Sequence, residues 1–203
     1  IGIAAFMVIM LYVYNEMSDD KYHEKSDRIF RVEQYGRFRG QDFNGPTTPA
    51  PLALAAKNEL PEVEATARIR NFGFPVLRYK EKAFSEERFF YTDPEILNIF
   101  SIEFIKGNPK TALTKAYDLI ITESMAKKYF GNEDPIGKSI NSDKREDFTV
   151  TAVVKDPPSN THWHFDFLTH IDKYNLAAVN QSWLSDSFFT YILLKKNIPP
   201  LTF

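Results

Sequence analysis

The first fourteen residues, Ile1 to Tyr14, carry no charge, and the first charged side chain is Glu16. A helix needs about 20 apolar residues to cross a bilayer, so this run is too short to span by itself. A cleaved signal peptide fits poorly, because no basic region precedes the apolar run and no small-x-small site closes it before Glu16. The run reads instead as the outer part of a transmembrane helix, residues 1–14. Gly2, Ala4 and Ala5 are small enough for close helix packing, and Tyr12 and Tyr14 fall where an interfacial aromatic belt would lie. The competing reading is a buried helix of a soluble core. Beyond Tyr14 the chain passes through Asn15 to Asp20 without Gly or Pro, which predicts one continuous helix from Ile1 to about Asp27. Its polar half would be a stalk, with Lys21, Lys25 and Arg28 interleaved among Glu16, Asp19, Asp20, Glu24 and Asp27 at helical ion-pair spacing. The same acids lack the Gly-centred loop of an EF-hand calcium site.

Composition closes several functional classes. The 203 residues are 43% hydrophobic, enough for a real core, and the formal net charge of -2 argues against a nucleic-acid binder. No cysteine is present, which removes a disulfide framework, a thiol nucleophile and cysteine-ligated zinc.

Local patterns predict an α+β chain with short helices between mostly antiparallel strands. Strands are expected at Ile29 to Val32, Val63 to Arg70, Val76 to Tyr79, Ala83 to Tyr91, Leu119 to Ile121, Phe148 to Val154 and Ser187 to Lys195. Arg37 to Asn44 reads as a polar turn region. Thr48 or Pro49 opens a helix, Ala50 to Leu60, that stops at Pro61. Thr92-Asp93-Pro94-Glu95 reads as a helix start capped by Asp93. Thr122 caps a helix from Glu123 to Phe130, ended by Gly131. On that helix Met125, Ala126, Tyr129 and Phe130 form one apolar face, onto which Ile136 can pack back.

Two motifs suggest chemistry. His162-Trp163-His164-Phe165-Asp166, read as a strand, would put both imidazoles and the carboxylate on one face, as for a metal-dependent hydrolase. Further ligands are lacking, since the only other histidines are His170 and His23, and the latter falls on the stalk. The bland reading is a surface strand. Gly131 to Ser139 looks like a phosphate-binding loop, yet five residues separate its glycines where the P-loop needs four, it follows a helix, and Glu133 and Asp134 would repel phosphate. It reads as a helix end and a turn. No nucleophile elbow occurs.

Taken together, ordered blocks along the chain resemble the MacB-like periplasmic core domain that precedes an FtsX-like permease module. They are Tyr14 to Asp20 after the apolar run; Tyr22 to Val32; Tyr91 to Phe100 with the turn Lys106-Gly107-Asn108; Ile121 to Gly131 with Asp134-Pro135-Ile136-Gly137-Lys138; and Phe148 to Pro158. The Phe-Gly and Pro-Ile-Gly spacing is the most specific of these. The resemblance implies residues 1–14 as a truncated transmembrane helix and 15–203 as the core domain, incomplete at its C-terminal end, with an N-terminal stalk helix and two lobes. It also implies a homodimeric permease in the bacterial inner membrane, with this domain in the periplasm. A separate cytoplasmic ABC ATPase would drive it by mechanotransmission, and a periplasmic adaptor or lipoprotein is a further partner. The family carries no catalytic residue here, so no catalytic, cofactor-binding or metal-binding residue is expected. The runner-up from another class is the extracytoplasmic sensor domain of a membrane receptor.

Overall fold

The structure is a computed structural model and describes residues 6, 10, 20–38, 40–143, 146–174, 181–184 and 186–198. Its strands are β1 (Ile29–Val32), β2 (Gln34–Phe38), β3 (Gln41–Gly45), β4 (Thr48–Pro49), β5 (Val63–Arg70), β6 (Val76–Tyr79), β7 (Lys82–Ser85), β8 (Phe89–Thr92), β9 (Phe104–Lys106), β10 (Asp118–Thr122), β11 (Ser139–Ser142), β12 (Asp147–Val154), β13 (Phe167–His170) and β14 (Asp186–Leu194). Among the residues from 20 onward that are described, the α-helices are α1 (Pro51–Glu59), α2 (Ile96–Ile99) and α3 (Glu123–Phe130). Twelve strands form one sheet in the order β1-β14-β5-β8-β13-β10-β12-β11-β6-β7, with β4 on β14 and β9 on β12. Only β10–β12 and β13–β8 pair parallel within it. The chain is α+β and mostly antiparallel, as its patterning indicates.

This one continuous sheet carries two large core clusters, one on each face. One gathers Phe89, Leu119, Ile121, Phe148, Val150 and Phe167 under α3. The other gathers Ala67, Ile96, Ile99, Ile120, Ala152 and Leu168 beneath α2. Successive residues of a strand point to opposite faces, and β12 would break the scheme without a bulge. Leu119 pairs with Val150 but Ile120 pairs with Ala152, so Thr151 is the extra residue. Past it, Ala152 and Val154 turn to the α2 side. The Thr151 hydroxyl donates to the carbonyls of Ala112 and Leu119 at 2.6 and 3.2 Å. Gly107 crosses the bulge with φ +93, and a Cβ there would meet the Thr151 oxygen at 2.6 Å, so only glycine fits.

Several local expectations are corrected. The helix from Ile1 does not run on to Asp27: residues 20–25 form turns, Ser26–Arg28 a short 3₁₀ segment, and Asp20 has φ +61. Phe6 and Met10 are helical and exposed, while the rest of residues 1–19 lie outside the described residues. Among the described residues no helix is long and apolar enough to cross a membrane. Arg37 to Asn44 is not a loop but most of the β2–β3 hairpin, turning at Gly40 with φ +82. The strand read through Ala83 to Tyr91 is interrupted at Glu86, whose buried carboxylate takes Lys128 Nζ at 2.7 Å and accepts the Tyr129 hydroxyl.

Asp93 is the most informative correction. α2 begins later, and no side chain caps it. The Asp93 carboxylate instead holds Arg68, taking Nη2, Nε and the Arg68 amide at 2.8 Å each. A cap is worth about 1 kcal/mol, whereas leaving a buried guanidinium unpaired costs about 3–5 kcal/mol. With the Arg68 side chain only 5% exposed, the pair wins.

α3 matches its reading. Thr122 Oγ1 accepts from the Met125 amide at 3.4 Å, and Gly131 closes the helix with φ 62. Tyr129 and Phe130 are buried against the sheet, with Met125 and Ala126 packed beside them. Ile136 does not pack back: it is exposed, and its neighbour Pro135 is buried in its place.

Two stability predictions follow from these contacts. Phe130→Ala is expected to lower unfolding free energy by about 3–5 kcal/mol in urea titration, while Lys138→Ala changes it by less than about 1 kcal/mol. Asp93→Ala is expected to lose about 3–5 kcal/mol, and the double variant Arg68→Met/Asp93→Ala to recover most of that, because the stranded charge leaves with its partner.

Candidate functional site: the docked turn below the sheet

The segment that leads in from the N-terminus is tied to the body through residues 20–28. Asp20 Oδ1 accepts from Thr161 Oγ1 at 2.9 Å and from the His162 amide at 3.1 Å, and Oδ2 lies 2.6 Å from His162 Nδ1. The Asp20 amide donates to the Asn160 carbonyl at 3.1 Å. Asp tolerates the left-handed backbone that this arrangement requires. His162 Nε2 lies 2.7 Å from the Tyr191 hydroxyl on β14. Burial pushes the Tyr191 phenol up to about 12, so it keeps its proton at neutral pH. The tautomer that satisfies both contacts donates from Nδ1 to Asp20 and accepts at Nε2 from Tyr191. Burial alone would raise the Asp20 pKa, yet the hydrogen bonds from His162 and Thr161 outweigh it and hold the carboxyl below its usual range.

A second set of bonds clasps the turn to the loop after α2. His23 Nδ1 accepts from the Ser101 amide at 3.1 Å, and Ser101 Oγ accepts from the Glu24 amide at 2.9 Å. Lys25 Nζ donates to the carbonyl and side-chain oxygens of Asn98 at 2.6 and 3.0 Å. Arg28 reaches Glu64 and the Leu194 carbonyl, both at 2.7 Å. Lys25 and Arg28, expected to pair along a solvated stalk, thus bind the body. His23, placed on the stalk by sequence, is buried between the Tyr22 and Phe100 rings. Burial lowers its pKa to about 4, against the opposing pull of Asp20.

Two grooves flank the turn. One of about 720 Å³ includes Tyr22, Lys25, Phe100, Phe104, Pro157 and Phe165 in its wall. The other, about 280 Å³, holds Asp20, His23, Arg31, Glu33, His162 and Tyr191.

The His162-to-Asp166 run is not a strand, which begins only at Phe167. Its alternate side chains therefore share no sheet face. Both nitrogens of His162 are engaged, and Trp163 stacks among Phe90, Phe100 and Phe165. Buried His170 accepts from the Asp172 amide through Nδ1. In the phosphate-loop look-alike, Lys138 Nζ is bonded to Glu133, which also takes Lys80 at 2.6 Å. Those lysines hold the Glu133 carboxyl well below its ordinary range. Sequence reading missed Tyr191, Thr161 and Ser101. Their partners lie 29, 141 and 78 residues away, beyond any local pattern.

Comparison with solved structures identifies the fold. A domain assigned to a permease protein from Porphyromonas gingivalis superposes with TM-score 0.78 at 25% identity, covering 89% of this chain and 78% of that one. The periplasmic region of MacB from Actinobacillus actinomycetemcomitans gives 0.59 at 15% identity over 86% and 76%. The extracellular domain of the noncanonic ABC-type transporter YknZ from Gram-positive bacteria gives 0.58 at 13% over 83% and 84%. Comparison with curated proteins gives no significant sequence match. These three solved domains share the fold of this chain. The match to the model of the MacB-like periplasmic core domain extends over residues 1–199, and the chain belongs to that family.

With both His162 nitrogens committed, zinc or nickel calorimetry on the chain is expected to show no binding tighter than about micromolar. Tight binding abolished by His164→Ala would restore a metal site.

Proposed function

We propose that this chain is the extracytoplasmic domain of an ABC transporter permease and carries motion rather than chemistry. Residues 1–14 are the outer part of a transmembrane helix in the bacterial inner membrane, and 15–203 stand on it in the periplasm. A cytoplasmic ABC ATPase subunit moves the membrane helices of the full protein. That movement is passed outward by mechanotransmission to a periplasmic adaptor or lipoprotein, and the full transporter works as a homodimer.

The observation that carries this reading is the fixing of Asp20. The segment does not enter through a loose linker. It is held at Asp20 by the 160–162 loop and, through His162, by Tyr191 on β14. β14 is itself hydrogen-bonded to β1, β4 and β5. A displacement applied at residue 20 is delivered to the sheet, because closely packed interiors transmit strain.

These 203 residues contain no cysteine, so an introduced thiol reports from this domain alone once any cysteine elsewhere in the full-length protein is replaced by serine. In the full-length permease with its ATPase, exposed Lys110→Cys is expected to react with a membrane-impermeant maleimide in intact cells whose outer membrane has been permeabilised. Its reactivity is expected to change with nucleotide in membranes, and Asp20→Ala is expected to remove that nucleotide dependence while ATP hydrolysis persists. Labelling that appears only after lysis would overturn the location. A nucleotide response unchanged by Asp20→Ala would overturn the route.

A further inference from the structure

The docked turn contains a group whose protonation is incompatible with its bonds. We infer that His23 is a proton-operated clasp: uncharged, it locks residues 20–28 onto the loop after α2, and protonated, it releases them while the sheet stays folded.

The geometry gives the mechanism. His23 is 5% exposed, and its Nδ1 accepts the Ser101 amide proton at 3.1 Å. An imidazolium has no acceptor, so protonation at Nδ1 replaces that bond with two N–H groups facing each other. The Ser101 amide then loses its partner. Ser101 is also the acceptor for the Glu24 amide at 2.9 Å, so a shift of its backbone disturbs both halves of the reciprocal pair. The ring leans at 3.8 Å centroid distance on Tyr22 and at 4.8 Å edge-on to Phe100, a setting that does not hydrate a charge.

Burial sets the direction, and the surrounding charges do not reverse it. Asp20, in the same turn, favours the cation, but its carboxylate is already occupied by Thr161 and His162. A proton on His162, from the 160s loop, would oppose one on His23. Arg31 and Glu33, reached from β1 across the smaller groove, bind each other at 2.7 Å, and Tyr191 of β14 stays neutral. Glu24 presents its backbone to Ser101, and the Lys25 ammonium is turned to Asn98. The depressed pKa of about 4 is consistent with this balance.

The sign of the linkage is fixed by those values. Released His23 titrates near 6.5 and docked His23 near 4, so the released state binds more protons between them. Docking is at full strength above pH 6.5 and weakens as pH falls, by up to about tenfold per unit, until about pH 4. His162 does not act this way: with both nitrogens protonated it still donates to Asp20, and the Tyr191 hydroxyl, unlike a backbone amide, can turn to accept from Nε2.

The test uses spin labels on the 203-residue chain. Lys21→Cys with Lys110→Cys reports the turn against the body, and Glu87→Cys with Lys110→Cys reports the body alone; all three sites are exposed. The turn distance is expected to be narrow at pH 7.5 and broad at pH 4.5, with the body distance narrow at both. The midpoint should coincide with the His23 ring titration followed by NMR in the unlabelled chain. His23→Asn, which keeps an acceptor near Nδ1 but does not titrate, is expected to abolish the pH response, and His162→Asn to leave it in place. The inference fails if the turn stays narrow at pH 4.5, if both distances broaden together, if the midpoint departs from the His23 titration, or if His162→Asn removes the response. Because no membrane is involved, its failure leaves the transport reading standing, and the reverse also holds.

Discussion

One buried ion pair organises the centre of this molecule. Arg68 lies in β5 with its guanidinium beneath the sheet surface, and Asp93, just past β8, holds it through both oxygens. The same arginine donates to the Ala50 carbonyl at the start of α1 and lies over the Phe188 ring of β14. Its own carbonyl accepts the Asp93 amide and the Thr92 hydroxyl. Strands β5, β8 and β14 and the start of α1 are therefore registered against a single planar group. Arginine suits this position because its fork of donors is rigid and always charged. A lysine could not take two carboxylate oxygens and a carbonyl in fixed directions.

The rest of the architecture follows from the two-sided sheet. Where both faces are covered a strand reads as an unbroken apolar run, as in Leu119-Ile120-Ile121, whereas polar residues alternate along β5 and β11. The Thr151 bulge lets β12 serve both cores, and Gly107 lets β9 cross it closely. The loop that receives the docked turn hangs between α2 and β9, so its position is set by these same packing choices.

How much of this could be read in advance depended on the range of the interaction. α3 was legible because Thr122, Glu123 and Gly131 act within one helix, and its four apolar residues declare one face. β1, β5 and β6 were legible to the residue, since β-branched runs end there at polar or proline punctuation. Asp93 was misread because a local rule made it a cap, while a residue 25 positions away had the stronger claim. The stalk was misread for the same reason. Its acids and bases have the right spacing to pair along a helix, yet Asp20, Lys25 and Arg28 find partners 142, 73 and 36 residues away. Ion pairs on an exposed helix are worth only a few tenths of a kcal/mol, so they could not compete. Of the junction, sequence supplied His162 as a notable residue but not its task.

The sheet also ends in an open strand. β7 is exposed at all four residues, and its outer backbone groups are free to template another strand. Lys82 is bent back from this rim onto the Lys128 and Tyr129 carbonyls, where its charge also suits the negative end of α3. One side chain thus ties the edge strand to the open carbonyls of α3, so a change at Lys82 would loosen the strand and the helix end together.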